Sequence, residues 1–437
     1  MKETTTGKQF FTVARVFFLL IVIPLSLMSL LIANGIFELG DISKKRAVTV
    51  LDQKSQEEMK IRTITMAESV ADFLRQIERD MLITTILPAN EKAYKEFIDK
   101  NKQVLWVRKD GAIVKSQEPL YTEMSLVDKK GNELIKITGG ETAPQAALRN
   151  VSDPKNTTFK SEDYFARTKA LAKGETYMSH VTGWYVNRSD FEKGARYEGI
   201  IRMATPVFDQ QGFAGIITLA LDVRHLAKFT DNIIPTQAQY VYEADAASGN
   251  YAYMVDDKGF VISHPNDYHI AGLDKDGTPM LPLTQENSQE MSSKGQEVLN
   301  LNLLGSMDPA LPEITRDAHN GKSGVKIYKF AGHTKVVAYA PIPFYSKDFP
   351  ASAGFGWVGL GVDVDKFNEL ATDASKKIEK EARAWMVTIV LIIIIAVFLL
   401  FGISAILARG ISRSITKEVP EDALEAAKYY DDEEEDD

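Results

Sequence analysis

One stretch of the chain concentrates residues able to hold a small molecule. Tyr164, Phe165, Tyr177, Trp184, Tyr185 and Phe191 stand near Arg167, Arg188, Arg196 and Arg202. A ligand pocket needs apolar walls and a few fixed polar groups, and this stretch supplies both. Arg202 offers a planar fork of donors for a carboxylate, and Asp222, a little downstream, offers an anion for an amine. A plainer reading stands beside this one. Aromatic residues at alternating strand positions are commonly core, and Asp222 is placed to cap a helix beginning near Val223.

The other polar groups point to no catalytic chemistry. His264 and His269 flank Asp267 in a His-Pro-Asn-Asp-Tyr-His run, but that spacing on a loop matches no tight metal-ligand pattern. A turn with solvated histidines is expected there, and no metal or other cofactor. Gly321-Lys322-Ser323 resembles the end of a phosphate loop, yet the first glycine would have to stand where Arg316 does. The chain has no cysteine, which removes thiolate chemistry and disulfides, and only 6 histidines. No nucleophile motif appears, so an enzyme is not expected. The net charge of −9 argues against nucleic acid as a partner.

Several elements must position these groups. From Ser43 to about Leu87 the apolar residues Ile61, Ile64, Ala67, Val70, Phe73, Ile77 and Met81 recur at helical steps, predicting one long helix. It packs on its own domain, pairs with a second protomer as a stalk, or does both along different parts. Downstream, the sequence repeats itself. Ser125–Gly131 (SLVDKKG) is echoed by Tyr253–Gly259 (YMVDDKG), each a strand entering a tight turn before a second strand. Ala204-Thr205-Pro206-Val207 is echoed by Ala340-Pro341-Ile342-Pro343, and Gly212–Asp222 by Gly354–Asp363, each of the latter a strand ending in Asp before a helix. Three elements repeated in the same order predict two related α/β modules in tandem, joined near Thr230–Ala246.

Two uncharged apolar stretches, Val16–Phe37 and Trp385–Leu407, bracket these modules. Each matches the roughly 20 residues a helix needs to cross a bilayer. The first is too long for a signal-peptide core and lacks a small-residue cleavage site, so a retained helix is expected. Lys2, Lys8, Arg15, Arg409, Arg413 and Lys417 fit an inner face, although basic residues also crowd the opposite flank. The large segment is placed outside.

These features together resemble the double Cache sensor, the extracytoplasmic domain of many bacterial chemoreceptors and sensor kinases. The resemblance covers roughly residues 40–370. It rests on the long helix, VDKKG and VDDKG, EDYFARTKALAKGETYMSHV (162–181), ATPVFDQQGFAGIITLALDV (204–223) and SHPNDYHIAG (263–272). It implies an α+β fold of two PAS-like modules, with antiparallel sheets and flanking helices on a long N-terminal helix, and a ligand pocket in the membrane-distal first module. The amino-acid-binding branch of the family uses an Arg, an aromatic pair, a later Tyr and a strand Asp. Tyr164-Phe165, Tyr177 and Asp222 fall at the last three of these positions, but Glu162 stands near the place of the Arg. A carboxylate cannot clamp a carboxylate, so amino-acid specificity is not carried over. The expected ligand-binding set is Tyr164, Phe165, Tyr177, Trp184, Tyr185, Arg202 and Asp222.

The expected organisation is a cytoplasmic N-terminus (1–15), a first membrane helix (16–37), a stalk helix (38–88), the distal module (89–230) and the proximal module (231–372). A juxtamembrane helix (373–384), a second membrane helix (385–407) and an acidic cytoplasmic tail (408–437) complete it. In the resembled receptors a coiled-coil relay follows the second span with an R-x-I-x-x-P pattern. Here Arg413 and Ile415 fit, but Glu418 replaces the proline. The expectation is a two-pass sensor of the bacterial inner membrane, with its large domain periplasmic or extracellular. It reads a small metabolite, forms a homodimer, and passes ligand occupancy to a separate kinase or chemotaxis-type protein. The alternative is a membrane-anchored structural or assembly protein on the same scaffold.

Overall fold

The computed structural model describes residues 2–109, 111–237, 240–350 and 352–418; the acidic run Asp431–Asp437 lies outside them. The chain forms two compact units, one from the residues through Asp52 together with those from Glu369, the other from Gln53–Asn368.

Helix α1 (Lys2–Ile83) contributes its residues from Gln53 onward to the larger unit. There Met66, Val70, Phe73, Leu74, Ile77 and Met81 are buried, a stripe at three- and four-residue steps that faces the sheets. Ile61, expected on the same stripe, is instead 56% exposed. The buried residues around it are Met59 and Thr63, each two positions away. Two positions turn a helix by about 200°, which puts Ile61 on the far side.

The first module begins with α2 (Glu91–Lys100), whose N-cap Asn90 accepts from the Ala93 N–H. A two-stranded hairpin follows, β1 (Lys102–Lys109) and β2 (Ala112–Pro119). The main sheet holds β3 (Tyr121–Asp128), β4 (Glu133–Thr138) and β5 (Glu141–Thr142). After α3 (Tyr164–Lys169) come β6 (Tyr177–Gly183), α4 (Arg188–Glu192), β7 (Gly199–Asp209), β8 (Gly212–Asp222) and α5 (Arg224–Asp231). The sheet runs β5-β4-β3-β8-β7-β6 and is antiparallel throughout.

The second module contains β9 (Tyr251–Asp256), β10 (Val261–Ser263), α6 (Ser288–Ser293) and α7 (Ala310–His319). Then come β11 (Gly324–Phe330), β12 (His333–Ile342), β13 (Gly356–Asp363) and the short α8 (Val364–Phe367). Its sheet runs β10-β9-β13-β12-β11. With the short β5 set aside, both sheets have one order: second strand, first, fifth, fourth, third. The duplication expected from the sequence is therefore a duplication of topology. It extends to backbone detail. Gly215, the fourth residue of β8, stands beside Val127, and Gly356, the first of β13, beside Val255; each lies seven residues before the Asp that ends its strand. A Cβ on either would sit 2.1 Å from that valine's carbonyl oxygen, so both sites require glycine.

Helix α1 fastens both modules. Arg75 donates to the Pro343 carbonyl (2.6 Å), and Met59 packs with Ala338 and Val362 of the second module. Glu78 accepts from Thr176 (2.9 Å), and Asp80 accepts from the buried Tyr121 hydroxyl (2.7 Å) of the first.

In the smaller unit the first half of α1 runs antiparallel to α9 (Glu369–Glu418), with Phe18 edge-on to Phe401 and Lys44 3.4 Å from Glu379. Both helices are long and apolar enough to cross a membrane, with windows of mean hydropathy 2.3 and 3.3. Their apolar side chains, Leu20 and Phe398 among them, are exposed, as suits contact with lipid.

Candidate ligand site

Strand alternation sorts the first sheet into two faces. Met124, Ile201, Met203, Leu219 and Leu221 belong to the same core as α1. Glu123, Ser125 and Val127 on β3, Thr218 and Ala220 on β8, and Arg202 and Ala204 on β7 share the other face. The register aligns Glu123, Ala220 and Arg202 across three neighbouring strands. Because the middle residue is alanine, the long side chains reach over it, and Arg202 Nη1 donates to Glu123 Oε1 at 2.6 Å.

Helix α3 and the segment before it cover this row. Arg202 Nε donates to Glu162 Oε1 (2.8 Å), and the guanidinium lies 5.0 Å from the centre of the Tyr164 ring. Lys136 on β4 approaches Glu123 (3.3 Å) and Glu133 (2.9 Å). Thr158 donates to Glu123, and the Phe159 N–H to Glu162. Arg202 is 1% exposed, and Glu123, Glu133, Glu162 and Tyr164 are all buried. Burial pushes the Glu123 carboxyl up, but Arg202 and Lys136 outweigh it and hold the group at about 2. Burial likewise lowers Arg202, and Glu123 and Glu162 more than reverse it.

One row along the sheet, Ser125 on β3 is paired with Thr218 on β8. Among the described residues neither hydroxyl has a hydrogen-bond partner, and both are buried, as is the equally unpartnered hydroxyl of Thr168 on α3. Leaving a buried hydroxyl unpaired costs about 1–3 kcal/mol, so each of the three stands to gain from a partner. Tyr164, Phe165 and Tyr177 form an apolar cluster with Val127, Ala204 and Ile216 on the same face.

The structure thus brings Tyr164, Phe165, Tyr177 and Arg202 together on this face. Trp184 lies at its edge, packed on Phe159 (5.2 Å between centroids) beside Ile200 and Ala220. Tyr185 is a strut between modules: its hydroxyl donates to the Tyr268 carbonyl and accepts from the Glu297 N–H, both at 2.9 Å. Asp222 is buried and held by its neighbour, accepting from the Arg224 N–H (2.9 Å) and pairing with its guanidinium (2.6 Å). Glu123, Lys136, Ser125, Thr168 and Thr218 escaped the sequence reading. Their one signal was that Glu123, Ser125 and Val127 alternate along a strand whose intervening residues are apolar.

The histidines of the second module correct an expectation. His264 and His269 are not solvated; they are buried, 3% and 7% exposed. Their loop folds back so that His264 meets Tyr251 edge-on and His269 meets Phe330. Burial pulls His269 down to about 4 and His264 well below its ordinary value, so both are neutral near pH 7. One group has the makings of a metal site: donor atoms of His180, Asp256 and Asp257 lie within 4.8 Å of one another. Their present bonds are protein bonds. His180 pairs with Asp257 (2.6 Å), and Asp256 accepts from the Lys258 and Phe260 N–H groups of its own turn.

Two antiparallel sheets of one strand order on a shared helix, one of them with a covered polar face, define a tandem sensor-type fold. A family model described as Cache domain matches residues 47–369, and the chain belongs to that family. Among solved structures it is similar to a domain of a sensory box/GGDEF family protein from Vibrio parahaemolyticus. That match has 15% identity and a TM-score of 0.44, covering 73% of this chain and 100% of that one. It is also similar to the ligand-binding domain of the Pseudomonas aeruginosa amino acid chemoreceptor PctB in complex with L-Arg (15%, TM-score 0.37, 71% and 96% covered). A third match is the ligand-binding domain of the Pseudomonas fluorescens chemoreceptor CtaA with L-isoleucine (14%, TM-score 0.38, 75% and 98%). No curated protein matches the chain.

Proposed function

We propose that this chain is a non-catalytic, membrane-anchored sensor that binds a small metabolite outside the cytoplasm. The site is the face of the first module beneath α3, walled by Tyr164, Phe165 and Tyr177. Trp184, Tyr185 and Asp222 flank it. The observation that carries this reading is the trio of buried hydroxyls without a hydrogen-bond partner among the described residues, Ser125 and Thr218 on the covered face and Thr168 on the helix over it. The charges beside them name a ligand class. Among the described residues, Glu123, Glu133 and Glu162 pair with Arg202 and Lys136 alone, one cation fewer than the carboxylates. An ammonium group brings the missing charge, and the aromatic rings favour it further.

The protein sits in the bacterial inner membrane as a two-pass anchor, with the sensor domain on the outer side. The exposed Ile61 on α1 supports pairing of the stalk with a second copy. Ligand that binds two arrangements of the module unequally shifts their balance, with a typical coupling of about 1–3 kcal/mol. The shift passes through α1 and α9 to a separate signalling protein of kinase or chemotaxis type.

The test is thermal melting of the full chain in detergent micelles against amines, amino acids, organic acids and purines. A ligand at a hundredfold excess over its Kd stabilises by about 2.7 kcal/mol. A shift confined to ammonium-bearing compounds supports the reading. A folded protein that ignores the whole panel overturns it and favours an assembly role for the same scaffold.

A further inference from the structure

The tight turns that end β3 and β9 are copies of one another, and the second copy departs from the first where it meets the other module. In the first module Asp128 Oδ1 accepts from the Lys130 and Asn132 N–H groups, and its Oδ2 from the Asn132 side chain (2.9 Å). The second turn repeats the backbone part, with Asp256 Oδ1 accepting from the Lys258 (3.0 Å) and Phe260 (2.8 Å) N–H groups. Phe260 stands where Asn132 does, so the side-chain bond to Oδ2 is gone. Asp257 stands where Lys129 does, so a carboxylate replaces a cation.

Strand β6 of the first module brings a third donor to the same place. Its pairing with β7 shifts register so that Ser179 and His180 together oppose Arg202, a bulge of the kind that re-aims a side chain. Ser179 Oγ accepts from the Arg202 N–H (2.9 Å), and His180 reaches the second module, its Nε2 2.6 Å from Asp257 Oδ1 and its ring edge-on to Phe349. Asp256 is 6% exposed and the Asp257 side chain 14%. Among the described residues, no lysine or arginine forms an ion pair with either carboxylate, so two largely buried anions share one imidazole. Buried charge is costly unless it is matched, and a single imidazole cannot match two carboxylates.

We propose that His180, Asp256 and Asp257 bind a divalent transition ion, zinc foremost, which clamps the first module to the second. Zinc holds nitrogen and carboxylate donors at about 2.0–2.2 Å, so any two of them stand at most about 4.4 Å apart. The three donor atoms already lie within 4.8 Å of one another, and a small side-chain rotation closes the difference. The ion takes the place of the proton that Nε2 donates to Asp257, and the neutral ring carries its proton on Nδ1 instead. The nitrogen donor and the small number of protein oxygens disfavour calcium and magnesium, which take six or more oxygens. This site is separate from the one beneath α3 and does not depend on it.

The test uses the full chain in micelles, free of any histidine tag, stripped with a chelator and dialysed. Zinc, manganese, calcium and magnesium are each titrated in by calorimetry, and melting is followed in parallel. Zinc binds at one ion per chain and raises the melting temperature; manganese binds more weakly, and calcium and magnesium more weakly still. Asp257→Asn keeps the shape of the turn and an acceptor for His180, yet weakens zinc by about a hundredfold, and His180→Gln does the same. His333→Gln breaks a different histidine–carboxylate pair, His333 with Asp363 (2.8 Å), and leaves zinc binding as it is. The absence of zinc binding overturns the proposal, as does calcium binding more tightly than zinc. Zinc that survives both Asp257→Asn and His180→Gln, or that is lost only in His333→Gln, also overturns it. If Asp257→Asn does not fold, His180→Gln decides: affinity equal to the wild type's overturns the proposal, and a hundredfold loss supports it.

Discussion

Replacing Arg202 by methionine keeps an unbranched apolar stem and removes the charged guanidinium. The guanidinium is 1% exposed and bonds two buried carboxylates, Glu123 at 2.6 Å and Glu162 at 2.8 Å. The cost follows from the Glu123 carboxyl, held at about 2 where an ordinary glutamate titrates at 4.5. That gap corresponds to about 3 kcal/mol of stability. The sign is that of a depressed acid: the stability is fully present above pH 4.5 and disappears as pH falls toward 2. Without Arg202 the carboxylates stay buried with only Lys136 nearby, and loss of one partner from such a group costs about 3–5 kcal/mol. For a unit of this size Arg202→Met lowers Tm by about 10 °C at pH 7. The deficit shrinks toward pH 4, because the stranded carboxyls take up protons. Adding Glu123→Gln and Glu162→Gln recovers most of the loss, since removing all the partners avoids an unpaired buried charge. Circular dichroism melting of the full chain at both pH values reads each effect. A variant melting within about 2 °C of wild type at pH 7 contradicts the buried network, because even a modest buried pair exceeds that.

Gly356→Ala places a Cβ 2.1 Å from the Val255 carbonyl oxygen, and a loss of about 2 kcal/mol or more is expected in urea titration. Thr218→Val removes a buried hydroxyl that has no partner; it raises the melting temperature of the unliganded protein while weakening the ligand, both by about 1 kcal/mol. Burial raises the Asp267 carboxyl to about 7, and its Oδ2 accepts from the Tyr197 N–H at 2.6 Å. A raised acid withdraws stability as pH climbs from its ordinary value of 3.8 toward 7. Asp267→Asn, which keeps an acceptor, therefore melts higher than wild type at pH 8, and the advantage vanishes at pH 4.

Much of the fold was legible because its signals are periodic. The stripe from Ala67 to Met81 followed from three- and four-residue spacing, and the paired VDKKG and VDDKG turns reappear as matching strand junctions. The hairpin β1–β2 was not, since Lys102–Pro119 is largely polar and mostly exposed or half-buried, giving no face to detect. In the site, the aromatic residues and Arg202 were visible by type. Glu123 and Lys136 were not, because a charged residue on a strand is ordinarily solvated, and only the sheet register shows Arg202 reaching over Ala220 to meet Glu123. The histidines were misread for the converse reason: a polar loop beside a proline resembles an exposed turn, and only tertiary packing against Tyr251 and Phe330 buries it. Asp222 was seen in both of its roles, as a candidate anion for an amine and as a residue at a helix start. Its bond to the Arg224 N–H belongs to the second.

The central claim is that the ligand lies beneath α3 in the first module. The most direct measurement is calorimetric titration of the strongest ammonium-bearing hit into wild type, Tyr164→Ala and, as a second-module control, His264→Leu, each first shown by circular dichroism to be folded. The account predicts one saturable site in the wild type, lost in Tyr164→Ala and kept in His264→Leu. Binding that survives Tyr164→Ala, or that fails only in His264→Leu, contradicts it.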